Sequence, residues 1–166
     1  MDKNSFMHSF IFSSGHWIGE GKIALNMVAE ELSFQTRWQV EERDFVGKVS
    51  CFQDVLIAGL NDSTRNELTF YNFQGNRFSV DMENPNLGRI VGSGFFDDQM
   101  IAWEFRNHEV EFEGFESYSL QPDGSYFMKG EYLTSDQLRT EIEARIWQKV
   151  ESKEQEGFEK DGGEER

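Results

Sequence analysis

The chain has 166 residues, which suits a single domain large enough to bury an ordinary core or to enclose a cavity. Its 31 acidic residues against 16 Lys and Arg residues give a formal net charge of −15. Such a surface repels phosphate backbones and anionic lipid, which argues against nucleic-acid and membrane-surface roles. Cys51 is the only cysteine, so an intrachain disulfide is excluded, and with it a disulfide-stapled secreted fold.

Residues 1–13 form a short segment ahead of the predicted domain. Their apolar side chains are interrupted by His8 and Ser9, and no sustained apolar run follows them. This pattern matches neither a secretion signal nor a membrane span. We therefore expect a cytoplasmic protein that does not insert into a membrane.

The first predicted strand opens on a tryptophan flanked by glycines, in the run Gly15-His16-Trp17-Ile18-Gly19-Glu20-Gly21. A large ring at this point suits the closed end of a small antiparallel barrel, and glycines let the strand bend sharply. We therefore expect the structural signature of the barrel to consist of Gly15, Trp17, Gly19 and Gly21.

Alternation of apolar and polar side chains predicts strands along most of the remaining chain. The pattern is strongest over residues 31–41, and turn-forming residues separate several of the segments. Ten hairpin-linked strands predict an all-β, up-and-down antiparallel barrel, whose closure removes the exposed sheet edges. The ten predicted strands are residues 16–25, 31–41, 45–53, 66–73, 77–83, 88–95, 99–106, 109–120, 124–133 and 138–148.

Two segments fit more than one structure. Residues 54–60 suit either a helical turn or a continued strand. Residues 138–149 show both a helical and a strand period, and we favour a strand because the barrel needs its last member to close onto its first. The expected domain covers residues 14–149. A disordered acidic tail is predicted for residues 150–166 because the chain there is rich in Glu and poor in apolar residues.

The glycine–tryptophan run resembles the Gly-x-Trp of lipocalins and the Gly-x-Trp-x-Gly-x-Gly opening of nitrobindin-like proteins. The chain thus resembles the calycin superfamily, which also includes the intracellular fatty-acid-binding proteins. The resemblance implies a calycin-like barrel. It also implies a role for Arg145, which either packs on the barrel tryptophan or, with Trp147, grips a ligand carboxylate. Nitrobindins hold haem through a histidine on a late strand. No histidine follows His108, so haem is not expected, nor any other cofactor.

No motif in the sequence specifies a reaction, and we predict no catalytic residue. His8, His16 and His108 lack the spacing of a metal site and are interpreted as surface or capping residues, so no metal is expected. Cys51 is interpreted as a buried, inert thiol. Because Glu109, Glu111 and Glu113 alternate with apolar residues, they are interpreted as the outer, solvated face of a strand.

Aromatic side chains are the candidate ligand-binding residues. A ten-strand barrel is wider than side chains easily fill, so inward rings either line a cavity or pack into a solid core. Arg145 joins the candidates if it points inward, where it would need an acidic partner, although the alternation of its strand favours an outward position. The candidate ligand-binding residues are Trp38, Phe70, Phe78, Trp103, Phe105 and Arg145.

The sequence thus favours a lipocalin-like intracellular protein, not an enzyme, that binds a small hydrophobic ligand in the barrel. Two alternatives stay open. One is an enzyme on the same scaffold, such as an isomerase, a lyase or a chromophore-attachment protein. The other is a filled barrel that acts as a protein-interaction module.

Overall fold

A computed structural model describes residues 8–150 as a closed antiparallel barrel of ten strands. Every strand pairs with its sequence neighbours, and the last pairs with the first. This confirms the predicted all-β, up-and-down barrel. Residues 1–7 and 151–166, which include most of the predicted tail, lie outside the described residues. The strands are β1 (Gly15–Leu25), β2 (Leu32–Val40), β3 (Val49–Ile57), β4 (Ser63–Gln74), β5 (Arg77–Asn84), β6 (Gly88–Phe96), β7 (Met100–Asn107), β8 (Phe112–Leu120), β9 (Tyr126–Leu133) and β10 (Arg139–Lys149).

Both ambiguous segments contain strand. β3 continues to Ile57 before a turn, and residues 139–149 form β10, which pairs with β1 over ten residue pairs from His16↔Lys149 to Leu25↔Thr140. The alternative of a C-terminal helix over residues 138–149 is therefore wrong. Between residues 8 and 150, no helix is long and apolar enough to cross a membrane.

The close approach of β1 to β10 explains a glycine of the predicted signature. Gly21 pairs with Ala144, and a Cβ atom built on Gly21 would lie 2.0 Å from the carbonyl oxygen of Glu143. No larger residue fits without moving the backbone of β10. Gly21 thus allows the closure of the barrel.

The barrel has two different ends. We call the end that holds Trp17 the closed end; it carries the loops at residues 41–48, 75–76, 97–99 and 121–125. The opposite end, which we call the open end, carries the loops at residues 26–31, 58–62, 85–87, 108–111 and 134–138.

Phe10 plugs the closed end. The residues before β1 turn back under the barrel, and the Phe10 side chain is fully buried. Its ring centroid lies 5.2 Å from that of Trp17, 5.1 Å from Trp38, 5.0 Å from Tyr118 and 5.7 Å from Tyr126. Offset and edge-to-face contacts of this kind stabilise a core beyond the area that they bury. The segment ahead of β1 therefore contributes to the barrel core.

His8 departs from the sequence interpretation. It was expected at the surface, yet only 2% of it is exposed. Its Nδ1 lies 2.7 Å from the Tyr126 hydroxyl and its Nε2 lies 2.5 Å from the backbone oxygen of Asp97. Burial lowers the pKa of the imidazole, although the bond to Asp97 opposes that effect. Local sequence could not show that residues before the first strand fold back onto it. His16 and His108 are exposed, as expected.

The predicted start of β8 is also corrected. Glu109 and Glu111 lie in the turn before the strand, where the Asn107 side chain accepts backbone N–H bonds from Glu109 and Val110. Glu111 has a positive φ of 49°, which ends the alternation on which the strand prediction depended. Only Glu113 lies on the strand, and it is exposed as predicted.

The Phe10 plug predicts a large loss of stability on truncation. We expect Phe10→Ala to lower the free energy of unfolding by about 3–5 kcal/mol, because the cavity that it leaves is surrounded by rigid rings. Urea denaturation followed by tryptophan fluorescence measures the change. Phe45→Ala is the matched control, since Phe45 is 100% exposed and its truncation should alter stability little. Equal effects of the two substitutions would contradict the plug.

Candidate functional site

The predicted aromatic residues all lie inside the barrel. Trp38, Phe70, Phe78, Trp103 and Phe105 are each at most 3% exposed. Several of their rings are in contact: Trp103 lies 6.4 Å from Trp38 and 5.0 Å from Phe70, which lies 5.8 Å from Phe78. The structure therefore brings these residues together as one aromatic wall that continues into the plugged closed end.

Arg145 does not join this wall. Its side chain is 64% exposed and forms an ion pair with Asp123 at 2.6 Å on the outer surface. The neighbouring Ala144 and Ile146 are buried, which sets the inward phase of β10 and leaves Arg145 outside. The candidate role of Arg145 as an interior ligand-binding residue is therefore corrected: it lines no part of the interior.

Trp17 occupies the place that the sequence predicted for it. Its side chain is 1% exposed and its ring packs edge-on against Phe10 and Tyr126 at the closed end. Gly19 pairs with Ile146 beside it, and a Cβ on Gly19 would lie 2.7 Å from the methyl carbon of Thr36. The glycine–tryptophan signature is therefore part of the wall of the interior.

Glu116 is an interior residue that the sequence interpretation missed. It lies on the inward phase of β8 with Gly114 and Tyr118, and only 6% of it is exposed. The Tyr118 hydroxyl donates a hydrogen bond of 2.5 Å to its carboxyl group. The sequence feature that could have identified it is a charged residue on the apolar phase of a strand.

Burial raises the pKa of Glu116 above its ordinary value of 4.5. Donors from Tyr118, Tyr132 and the Trp103 indole oppose this shift because they favour the charged form. The Trp103 N–H is close to the carboxyl but does not meet the geometry of a formed hydrogen bond. The environment therefore holds a carboxyl that keeps its proton more readily than an exposed glutamate.

Three indole N–H groups inside the barrel have no hydrogen-bond partner among residues 8–150. These are the Nε1 atoms of Trp17, Trp38 and Trp103, and all three are buried. An unpaired buried donor costs about 1–3 kcal/mol and is rare in folded proteins. The interior therefore offers several unpaired donors, among which the Trp103 N–H lies close to a protein acceptor, the Glu116 carboxyl.

Solvent reaches the half of the interior next to the open end, which we call the open half. Several of its inward side chains are only partly buried, although others there, such as Ile23, Phe34 and Phe112, are at most 6% exposed. The partly buried side chains combine apolar surface with amide groups, and include Gln53, Val55, Ile57, Asn66, Tyr132 and Ile142. A molecule entering the barrel would meet this half first.

Grooves also lie on the barrel wall. One groove of about 620 Å³ is lined by β1, β2 and the loop after β3, with Leu56 and Leu60 beside Glu20 and Lys22. Neither Glu116 nor the aromatic wall contributes to its lining. Because its charged residues are solvated, we place the candidate site in the interior.

Cys51 shows no feature of a nucleophile or a metal ligand. It is 1% exposed, and burial, together with Glu41, raises the pKa of its thiol to about 12. It is therefore the buried, inert thiol that the sequence predicted. Within residues 8–150, no three His, Cys, Asp or Glu side chains are grouped as metal ligands.

No protein-family model matches the chain, and no curated protein matches it by sequence. The solved structure of the S-type phycobiliprotein lyase CPES from Guillardia theta is similar in fold, with a TM-score of 0.64. The similarity covers 92% of this chain and 95% of that chain at 9% sequence identity. At that identity the likeness concerns the fold alone. The chain therefore has a closed ten-strand antiparallel barrel whose fold is similar to that of the lyase.

The buried Glu116 predicts a specific dependence of stability on pH. Its raised pKa means that folding is favoured most below pH 4.5 and that this contribution is lost as the pH rises through the folded pKa. Glu116→Gln cannot ionise at this position. We therefore expect its melting temperature to increase relative to that of the wild type as the pH is raised from 4 to 8. A gain on the order of 2–4 °C corresponds to about 1 kcal/mol.

Calorimetry across that pH range measures the gain. Glu113→Gln is the matched control, since Glu113 lies on the same strand but points to solvent. A melting-temperature difference between Glu116→Gln and the wild type that stays constant with pH would contradict the raised pKa.

Proposed function

We propose that the barrel binds a small, predominantly apolar molecule whose polar atoms meet the unpaired groups of the interior. The observation that carries this proposal is the set of three buried indole donors without acceptors. A barrel interior selected only for stability would replace them with rings that lack an N–H, because each orphaned donor destabilises the fold. A ligand acceptor would form hydrogen bonds with these donors and so explain why the protein retains them.

The shape of the interior suits such a ligand. The aromatic wall offers flat apolar surface, and the partly accessible open half provides a route inward. Pockets of this type bind the body of a ligand through apolar contact and orient it through a few polar groups. Trp38, Trp103 and Glu116 are the polar groups that we assign to this task.

Titration of the delipidated protein tests the proposal. Fatty acids, retinoids and linear tetrapyrroles are the probes, and quenching of tryptophan fluorescence reports binding. We expect saturable binding of at least one class. Trp38→Phe keeps an aromatic side chain, although a smaller one, and removes the N–H, so it should weaken binding about tenfold, the equivalent of about 1.4 kcal/mol.

Trp147→Phe is the matched control, because Trp147 lies on the outer phase of β10 and its substitution should leave the affinity unchanged. Native mass spectrometry of freshly purified protein gives an independent measurement by detecting a copurified molecule. Absence of saturable binding in all three classes would contradict the proposal and favour the filled barrel that acts as an interaction module.

A second candidate function is chromophore handling, which the fold similarity to a phycobiliprotein lyase favours. The pyrrole N–H groups of a linear tetrapyrrole could donate hydrogen bonds to the Glu116 carboxyl. Biliverdin absorbance tests this candidate: we expect a spectral shift on binding, and we expect Glu116→Gln to reduce that shift. Binding of fatty acids or retinoids without binding of biliverdin would exclude this second function while supporting the first.

A further inference from the structure

Four polar side chains from four neighbouring strands form a continuous row on the inner face of the barrel. Gln53 Nε2 donates to Thr36 Oγ1 at 3.2 Å, and Asn66 Nδ2 donates to Gln53 Oε1 at 3.1 Å. Asn84 Nδ2 then donates to Asn66 Oδ1 at 2.7 Å. We call these four residues of β2, β3, β4 and β5 the amide ladder.

Backbone groups determine the direction of the amide ladder. The backbone N–H groups of Asn86 and Leu87 both donate to Asn84 Oδ1, at 2.8 and 3.0 Å. These donors cannot be reversed, so the Asn84 amide nitrogen must face Asn66. The same requirement then passes along the row, and each amide oxygen accepts from the next residue. The alternative amide orientations would place N–H against N–H.

This direction leaves the amide ladder with spare donors. A primary amide carries two N–H groups, and Gln53, Asn66 and Asn84 each use one of them within the row. Thr36 accepts in the row and keeps its hydroxyl hydrogen for donation. Trp38, which pairs with Gln53 across the strands, adds an unpaired indole N–H. One wall of the interior therefore presents donors to whatever lies beside it.

No basic side chain accompanies these donors. Within residues 8–150, the strand positions on the inward phase carry neither Lys nor Arg. A buried carboxylate without a cation is strongly disfavoured, and the Glu116 carboxyl on the opposite wall would add repulsion when ionised. An uncharged acceptor carries no such cost.

We infer that the amide ladder binds a neutral carbonyl oxygen, of the ester, ketone or lactam class, on an otherwise apolar ligand. This inference rests on the proposed function, because it assigns the ligand class of the same interior. A barrel of this kind differs from one that binds an ionised fatty acid through an inward arginine. The carbonyl lies at the edge of the open half, where the amide ladder is partly exposed, and the apolar body extends toward the aromatic wall.

Three matched pairs of probes test the inference: palmitate, retinoate and biliverdin, each against its methyl ester or dimethyl ester. Each pair shares one skeleton and differs by charge at the carboxyl group. For palmitate and retinoate we expect the ester to bind at least about tenfold more tightly than its acid, which corresponds to about 1.4 kcal/mol. Biliverdin carries neutral lactam carbonyls in both forms, so we expect it to bind in either form. Fluorescence quenching gives both dissociation constants.

Asn66→Leu tests the part played by the amide ladder, because it breaks the row while keeping the branched shape and the number of heavy atoms of the side chain. We expect it to weaken ester binding about tenfold, whereas Asn61→Leu, in an exposed loop, leaves the affinity unchanged. Gln53→Met serves the same purpose should Asn66→Leu fail to fold, as judged by circular dichroism.

The outcomes separate the two proposals. Palmitate or retinoate that binds as tightly as its ester, or an ester affinity that survives the loss of the amide ladder, would overturn the inference and leave the proposed function standing. Absence of saturable binding by all six probes would overturn both.

Discussion

The pairing of β1 with β10 is the constraint on which every other feature of the barrel depends. A meander of ten strands left open would expose two edges, and its inward phase would be only one face of a sheet. Closure makes that face a single interior shared by all ten strands. Gly21 allows this closure because the backbone of β10 occupies the space that a side chain would need. The glycine–tryptophan run therefore matters for the geometry of the seam as well as for the plug.

Some parts of the interior stabilise the fold, and others destabilise it. Phe10, Trp17 and Tyr126 pack at the closed end with almost no exposure, and burial of this kind supplies most of the stability of a domain. That surplus offsets the cost of Glu116 and of the unpaired indole donors, each of which makes the fold less stable. Buried polar groups that weaken a core are the features most readily explained by binding.

The sequence predicted what depends on alternation within a single strand. All ten strands and the five interior aromatic residues follow from a period of two, because closure turns one phase of every strand inward. The same rule places Arg145 outside, beside the buried Ala144 and Ile146. What the sequence did not predict depends on neighbours across strands. In the sequence, Gln53 and Asn66 are single polar residues on the apolar phases of two separate strands. Only the register Gln53↔Asn66 shows that they are neighbours in one row. His8 was missed for a related reason, since its partner Tyr126 is 118 residues away.

Under the proposed function, the chemistry of the interior wall would determine which molecule the barrel binds, since proteins of one fold hold unrelated molecules. A TM-score of 0.64 at 9% identity indicates that the scaffold is kept while its lining is free to differ. In this chain the lining combines donors on β2–β5 with one carboxyl on β8 and places the basic Arg145 on the outer surface. An anionic ligand head would meet no interior cation on the strands described here and would face Glu116. A neutral acceptor would pair with the amide ladder, so under the proposed function the charge of the ligand head is the property that this wall would discriminate most strongly.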